Sequence, residues 1–292
     1  METFLQLFAN GMGKGAAYAL LALGFVIIYK STEVVNFAHG SLALLAGYVA
    51  VRTEPDLGFV VSAILGVATA AIAALAVERL LVARVRFGDP NTLALLTIGV
   101  DVLMTEELIR RLGSNTPFVN APWDGASVGI GSVVVSGTAL AVFATSAALI
   151  IGFLVVFRFS DWGVAMRAQA ENREAAVLMG IRSARITAIS WLVAGLLAGV
   201  AVLFIATQDF SGAGVSRGTH SIALAAFPAA IIGGLDSTTG AILGGLTVGL
   251  IEALSSEYIS FSFSKSAVFL VMLAVLIVRP NGLLGTKELR RV

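Results

Sequence analysis

Long apolar stretches separated by short polar segments dominate the chain. A helix needs about 20 apolar residues to cross the roughly 30 Å hydrocarbon core of a bilayer. Runs of this kind occur at residues 4–29, 37–51, 58–83, 91–109, 133–157, 186–207, 219–234, 238–254 and 265–278. These runs are continuous, whereas a membrane β-barrel alternates polar and apolar positions. We therefore predict an all-α, polytopic transmembrane bundle of about 8–10 spans. The short second and seventh runs are candidates for broken or re-entrant helices.

Composition supports a membrane protein built as one transmembrane domain over residues 1–292. Hydrophobic residues make up 58% of the 292 and charged residues only 13%. Soluble domains have about 45–50% apolar and about 25% charged residues, so a soluble enzyme, a disordered chain and a nucleic-acid binder are excluded. The net charge is +1, there is no cysteine, and there are two histidines. We therefore expect no cofactor, no metal, no disulfide and no nucleic-acid partner.

The distribution of Lys and Arg predicts the orientation in the membrane. Basic residues are concentrated in residues 79–90, in residues 158–185 and in the C-terminal tail. With nine spans these three segments share one side, which the positive-inside rule assigns to the cytoplasm. The loops 113–132, 208–218 and 255–264 and the N-terminus then lie outside. Arg110 and Arg111 violate the rule, because they end the fourth span on the outer side.

Two similar strings contain the two histidines. His39 begins His-Gly-Ser-Leu-Ala-Leu and His220 begins His-Ser-Ile-Ala-Leu, each at the start of a short span that follows a long one. In this topology the two short spans run in opposite directions. That is the pattern of an inverted repeat, whose halves often enclose a translocation path. Chance is the alternative explanation, because alanine and leucine are frequent in this chain.

Polar residues within or beside the spans are the candidates for a substrate pathway, because buried polar groups tend to face a bundle interior or a wet cavity. The candidates are Asn36, His39, Asp101, Thr219 and His220. For Asn36 the alternative role is helix capping.

Other acidic residues of the fourth span have a simpler explanation. We expect Glu106 and Glu107 to pair with Arg110 and Arg111, four residues further along the same helix. Asp101 has no such helical partner. An intramembrane enzyme using Asp101 and Glu106 is a further alternative.

Glycine-containing segments favour packing over nucleotide chemistry. The pairs Gly195/Gly199, Gly240/Gly244 and Gly245/Gly249 have the four-residue spacing that lets helices approach closely in lipid. The segment around Lys14 only superficially resembles a phosphate loop, since no glycine lies five residues before the lysine and no Ser or Thr follows it. We therefore expect no ATP binding by this chain.

The basic segment 158–185 contains a predicted helix over residues 168–179, and Gly180 supplies a helix stop. The helix is too short and too weakly apolar to span a membrane. It suits docking into the groove of a partner protein. Resting on lipid headgroups is the alternative.

Several motifs, taken in order along the chain, resemble one family. Val35-Asn36-Phe37-Ala38-His39-Gly40 is similar to the signature of permease subunits of branched-chain amino-acid type ATP-binding-cassette importers. Segments resembling the family's opening span, its ATPase-coupling loop and its ending are Ala17–Gly24, Arg167–Ile181 and Arg279–Gly285. The segment Gly233–Ala241 also fits, although Asp-Ser-Thr-Thr departs slightly from the family pattern.

The resemblance implies a non-enzymatic transport subunit in the inner membrane, with a cytoplasmic C-terminus. It would work with a second homologous permease, two ATP-binding subunits and an extracytoplasmic solute-binding protein. The expected ATPase-coupling residues are Arg167, Glu171, Asn172, Ala175 and Gly180. Relatives with these signatures also carry urea or short amides, so the solute stays open. A secondary carrier or channel that works without ATPase partners is the alternative function.

Overall fold

The computed structural model describes residues 2–85, 90–130 and 133–285. Its helices are α1 (Glu2–Thr32), α2 (His39–Leu80), α3 (Pro90–Leu112), α4 (Gly137–Phe159), α5 (Asp161–Glu171), α6 (Arg173–Leu178), α7 (Ser183–Ile205), α8 (Gln208–Ser211), α9 (Arg217–Leu224), α10 (Ala226–Gly233), α11 (Thr238–Tyr258) and α12 (Phe261–Val278). Within the described residues six helices are long and apolar enough to cross a membrane, namely α1, α2, α4, α7, α11 and α12. The predicted polytopic helical bundle is confirmed.

Helix α2 is a hairpin of two arms and accounts for two predicted spans. Its 42 residues would extend about 63 Å as one straight helix, roughly twice the hydrocarbon thickness. Gly58 interrupts it with φ 73°, a value that glycine tolerates. A Cβ added at Gly66 would lie 2.5 Å from the Ala46 carbonyl oxygen, which shows that the two arms lie side by side. The second predicted run, a candidate for a broken or re-entrant helix, is continuous helix from His39 to its end at residue 51, because the interruption lies beyond it at Gly58.

The seventh predicted span is divided, as proposed for this run. It consists of α9 and α10, two eight-residue helices that meet at Ala225. The fifth span begins four residues later than predicted, because residues 133–136 form a strand. That strand, β2 (Val133–Ser136), pairs antiparallel with β1 (Ser127–Ile130), with Val128 opposite Val135. The sequence analysis did not predict this short hairpin.

Glycines line two close helix–helix seams. Helix α1 packs along α11, where a Cβ added at Gly249 would lie 2.2 Å from the Gly15 nitrogen. The second arm of α2 packs along α7, where a Cβ at Gly195 would lie 2.7 Å from the Ala70 carbonyl oxygen. Such distances are below any normal contact, so these positions require glycine. The predicted role of the glycine pairs in close packing is confirmed.

The two seams have the relationship that the predicted inverted repeat requires. In that repeat the first span corresponds to the sixth, and the third span corresponds to the eighth. The first span, α1, packs on the eighth, α11, and the sixth, α7, packs on the third, the second arm of α2. Exchanging the two halves therefore converts one seam into the other.

The connecting segments separate into two groups at opposite ends of the bundle. Residues 158–185, 234–237 and 279–285 gather at the end of α1, where Lys30 Nζ donates to the Asp236 carbonyl at 2.7 Å and Leu283 N to the Ile232 carbonyl at 2.8 Å. We call this the coupling end. The β1–β2 hairpin lies at the opposite end, beside the start of α1, where Val134 N donates to Gln6 Oε1 at 2.8 Å. We call this the hairpin end.

Candidate transport pathway and coupling surface

Three polar groups meet where α2, α3 and α9 approach one another. Asp101 Oδ1 accepts a hydrogen bond from the backbone N–H of Ser41, in the first turn of α2, at 3.1 Å. His220 Nε2 lies 3.1 and 3.0 Å from the two carboxylate oxygens of Asp101. The imidazole and the carboxylate are therefore within hydrogen-bond distance of each other. We call Ser41, Asp101 and His220 the Asp101–His220 cluster.

This cluster is largely removed from water, because the His220 and Asp101 side chains are only 11% and 14% exposed. Asp101 satisfies an N–H group of α2 that the helix itself leaves without a partner. It also holds α9 through His220. The sequence analysis found no helical partner for Asp101, because its partners come from residues 60 and 119 positions away.

His39 occupies a separate position, fully buried against α1. Its ring centroid lies 4.5 Å from that of Phe25, and a Cβ added at Gly24 would lie 2.6 Å from His39 Cε1. Its neighbour Gly40 faces the other histidine, since a Cβ at Gly40 would lie 3.0 Å from His220 Cδ2. The two similar strings that contain the histidines therefore lie next to each other, although the two imidazoles have different neighbours.

Asn36 and Thr219 both make local backbone contacts. Asn36 is fully buried, and its Oδ1 accepts the N–H of Ala38 at 3.0 Å, just before α2 begins. This bond is a local turn and not a helix cap, since the N-cap position of α2 is Ala38 and α2 has no side-chain cap, so the capping alternative was wrong. Asn36 Nδ2 is buried without a hydrogen-bond partner among the described residues. The Thr219 hydroxyl donates to the Gly214 carbonyl.

The acidic residues at the end of α3 divide between two partners. Glu107 pairs with Arg110 at 2.7 Å and with Arg111 at 2.6 Å, as predicted for that residue. The prediction for Glu106 was wrong. The Glu106 carboxylate accepts hydrogen bonds from both terminal nitrogens of Arg217, at 2.7 and 2.9 Å, because α9 starts beside it. Helices α3 and α9 are therefore joined twice, once at the exposed Glu106 pair and once at Asp101.

The predicted helix over 168–179 is two helices, so that prediction was wrong in detail. Helix α5 ends at Glu171 and α6 begins at Arg173. Asn172, between them, has extended backbone, and its Oδ1 accepts the N–H of Ala175 at 2.9 Å as a helix cap. Gly180 has φ 88° and ends the segment, as its predicted helix stop requires.

The α5–α6 segment is attached to the bundle on one side and exposed on the other. Arg167 donates to the carbonyl oxygens of Phe157 and Arg158 at the end of α4. Gln169 Nε2 donates to the Ser31 carbonyl of α1 at 2.9 Å. The apolar side chains of Leu178 and Met179, in contrast, are 87% and 83% exposed. We call these two residues the apolar tip of the segment.

Sequence reasoning missed a polar stripe on α1. Gln6, Asn10, Lys14 and Tyr18 recur every four residues, which places them on one face of the helix. Glu252 of α11 meets this stripe: its carboxylate accepts from Tyr18 Oη at 2.5 Å and lies 3.5 Å from Lys14 Nζ. The four-residue spacing was the available signal, but Lys14 was considered only as part of a phosphate loop.

The fold is that of a multi-pass helical membrane protein. A family model described as "Branched-chain amino acid transport system / permease component" matches residues 7–278. The chain belongs to this family. It is a permease component and not an enzyme.

Curated relatives are similar in sequence to this chain over nearly its whole length. The permease protein LivH of the high-affinity branched-chain amino acid transport system is 29% identical in Escherichia coli and 30% identical in Salmonella typhimurium, with 99% of this chain and 98% of the relative covered. A probable LivH of Methanocaldococcus jannaschii is 30% identical over 94% of this chain and 90% of its own length. Among solved structures, PsaBC from Streptococcus pneumoniae in complex with Fab is 15% identical, with a TM-score of 0.46 over 95% of this chain and 89% of that chain.

Proposed function

We propose that this chain, as a single permease domain over residues 1–292, is a subunit of an ATP-binding-cassette importer for branched-chain amino acids. Family membership and the names of the relatives support this solute. We further propose an inner-membrane location with the coupling end in the cytoplasm. The support is the positive-inside rule, because residues 158–185 and the C-terminal segment are rich in arginine.

The proposed complex contains a second homologous permease, embedded with this chain in the lipid bilayer, together with two ATP-binding subunits and an extracytoplasmic solute-binding protein. The proposal that an ATP-binding subunit contacts the α5–α6 segment rests on the apolar tip. Leu178 and Met179 present two large, almost fully exposed apolar side chains on a segment that Arg167 and Gln169 hold to α4 and α1. Such a surface suits a groove in an ATP-binding subunit. Asn172 caps α6 through Ala175, Gly180 ends the segment, and Glu171 lies beside it.

We assign the solute pathway to the region around the starts of α2 and α9 and the middle of α3, which contains Asn36, His39, Asp101, Thr219 and His220. The support is the placement of polar groups beside an interrupted helix. The α9–α10 break at Ala225 and the start of α2 at His39 place helix ends inside the bundle, as in the discontinuous helices that line many transport sites. A rearrangement of α9 against α3 would open or close this region.

The test of the ATPase contact is replacement of Leu178 and Met179 by glutamine in the assembled transporter. Both side chains are exposed, so folding should be unchanged, while ATP-driven leucine uptake in proteoliposomes should fall strongly. Leu80→Gln is the matched control, since Leu80 is a 54% exposed apolar residue outside the α5–α6 segment and should tolerate the change. Full uptake by the Leu178→Gln, Met179→Gln variant would exclude the apolar tip as the ATPase contact.

The same reconstitution tests the function itself. Uptake should require ATP and the ATP-binding subunits. Leucine flux through this chain alone, driven by a gradient, would instead establish the secondary carrier or channel. Uptake of urea or an amide in place of leucine would correct the solute.

A further inference from the structure

A polar cavity of about 420 Å³ lies at the hairpin end. The first half of α1, the β1–β2 hairpin, the start of α4 and helix α8 line this open cavity. Its volume is within the range of about 300–1,000 Å³ found for small-molecule sites. Lys14 and Asp209 line it together with the amides of Gln6 and Asn10 and the ring of Phe210.

The cavity has a cationic and an anionic group on different elements. Lys14 comes from α1 and Asp209 from α8, which follows α7 in the chain. The Lys14 side chain is 29% exposed and forms part of the cavity lining. A lysine inside an apolar helix is costly unless it has a role in binding or pairing.

The contact of Lys14 with Glu252 leaves the ammonium group able to bind a second anion. The 3.5 Å separation exceeds the roughly 2.7–2.9 Å of a tight charge-assisted hydrogen bond. An ammonium group has three donors, and among the described residues this is the one hydrogen bond recorded for Lys14 Nζ. Tyr18 holds the other oxygen of Glu252 at 2.5 Å, so the carboxylate is fixed without Lys14.

Asp209 is likewise held in place on the other wall. Its Oδ2 accepts the N–H of Gly125 at 2.9 Å. A carboxylate has about four acceptor positions, so this bond leaves capacity for a cationic donor in the cavity. Phe210, Ala139 and Val134 contribute apolar surface to the same cavity.

We propose that this cavity is an entry subsite for an α-amino acid zwitterion. Lys14 binds the α-carboxylate, Asp209 binds the α-ammonium group, and the apolar wall accommodates the aliphatic side chain. Gln6 does not serve the ligand directly: its amide pairs with both backbone groups of Val134 and holds the hairpin over the cavity. The inference rests on the proposed function and deepens it, because the pair of charges selects a zwitterion over urea or a neutral amide.

The test is equilibrium binding of radiolabelled leucine to the assembled transporter in nanodiscs, without the solute-binding protein. Lys14→Gln and Asp209→Asn should each raise the leucine Kd about tenfold or more, as expected for loss of one charge-assisted hydrogen bond. Lys14→Arg keeps the charge and should retain binding. Lys265→Gln removes an exposed lysine from α12, outside the cavity, and should leave the Kd unchanged.

Competition with analogues tests each charge separately. Leucinamide lacks the carboxylate and 4-methylpentanoate lacks the ammonium group, so both should compete poorly with leucine, as should acetamide. Leucine binding that is absent from the wild type, or unchanged in Lys14→Gln and Asp209→Asn, would overturn the subsite. In that case ATP-driven leucine uptake by the wild type would still uphold the proposed function, whereas absence of that uptake would refute the function itself.

Discussion

Replacing Gly249 with alanine would test the seam between α1 and α11. The added Cβ would lie 2.2 Å from the Gly15 nitrogen, 2.4 Å from Gly15 Cα and 2.5 Å from the Gly11 carbonyl oxygen. Favourable contacts between carbon atoms lie at about 3.5–4.0 Å, so the two backbones would have to separate by about 1 Å. All three neighbours are backbone atoms, which cannot rotate away as a side chain does. We expect a destabilisation of about 1–3 kcal/mol, the usual cost of overpacking.

Thermal unfolding of the detergent-purified chain, followed by tryptophan fluorescence, measures this effect. A change of 1 kcal/mol shifts Tm by about 2–4 °C in chains of 150–250 residues, so Gly249→Ala should lower Tm by several degrees. Gly152→Ala in α4 is the matched control, because no heavy atom lies within 4 Å of its added Cβ. There alanine should stabilise the helix by about 0.5–1 kcal/mol. A Tm for Gly249→Ala at or above that of the wild type would refute the close approach of α1 and α11.

Two further predictions concern the pathway and the coupling segment. The effects of Asp101→Asn and His220→Gln on the free energy of unfolding should be non-additive, with a coupling energy of about 0.5–3 kcal/mol, as found for residues in contact. Additive effects in thermal unfolding would show that the two side chains do not interact. Asn172→Ala removes the α6 cap, which typically costs about 0.5–2 kcal/mol of helix stability, and should reduce ATP-driven uptake while ATPase activity persists. Asn172→Asp keeps a capping oxygen and should retain uptake, so an equal loss in both variants would contradict the capping explanation.

The helical bundle and the grouping of residues 158–185 with the C-terminal segment at one end could be predicted from the sequence, because they follow from hydrophobic length and from Arg placement. Gly58 illustrates what could not. The sequence indicates two spans around it, yet whether the chain turns there by a loop or a single glycine depends on the packing of Gly66 against Ala46.

The candidate site likewise has residues that could be identified from the sequence and partners that could not. Asp101 is recognisable as a costly polar residue in a span, so it could be singled out from its own surroundings. Its bond to His220 spans 119 positions and depends on where α9 starts. Glu106 was misassigned for the same reason, since a helical partner four residues away is visible in the sequence and Arg217 is not. Local rules therefore identify which residues need a partner, and only the fold supplies it.

Helix α1 connects the features that this protein would use for transport. At the coupling end Ser31 accepts the hydrogen bond from Gln169 of α5. Further along, Gly24 and Phe25 pack against His39, and towards the hairpin end Lys14 lines the polar cavity. In the most apolar 18-residue stretch of α1, 89% of the residues are buried, whereas the corresponding share in α12 is 17%. Helix α1 therefore cannot move without its neighbours. Because the glycine seam joins α1 closely to α11, a displacement of the α5–α6 segment would be passed to this helix pair as a unit. Apart from α11, helix α1 packs mainly on α7, α4 and α10, so a displacement of the pair would have to rearrange those contacts.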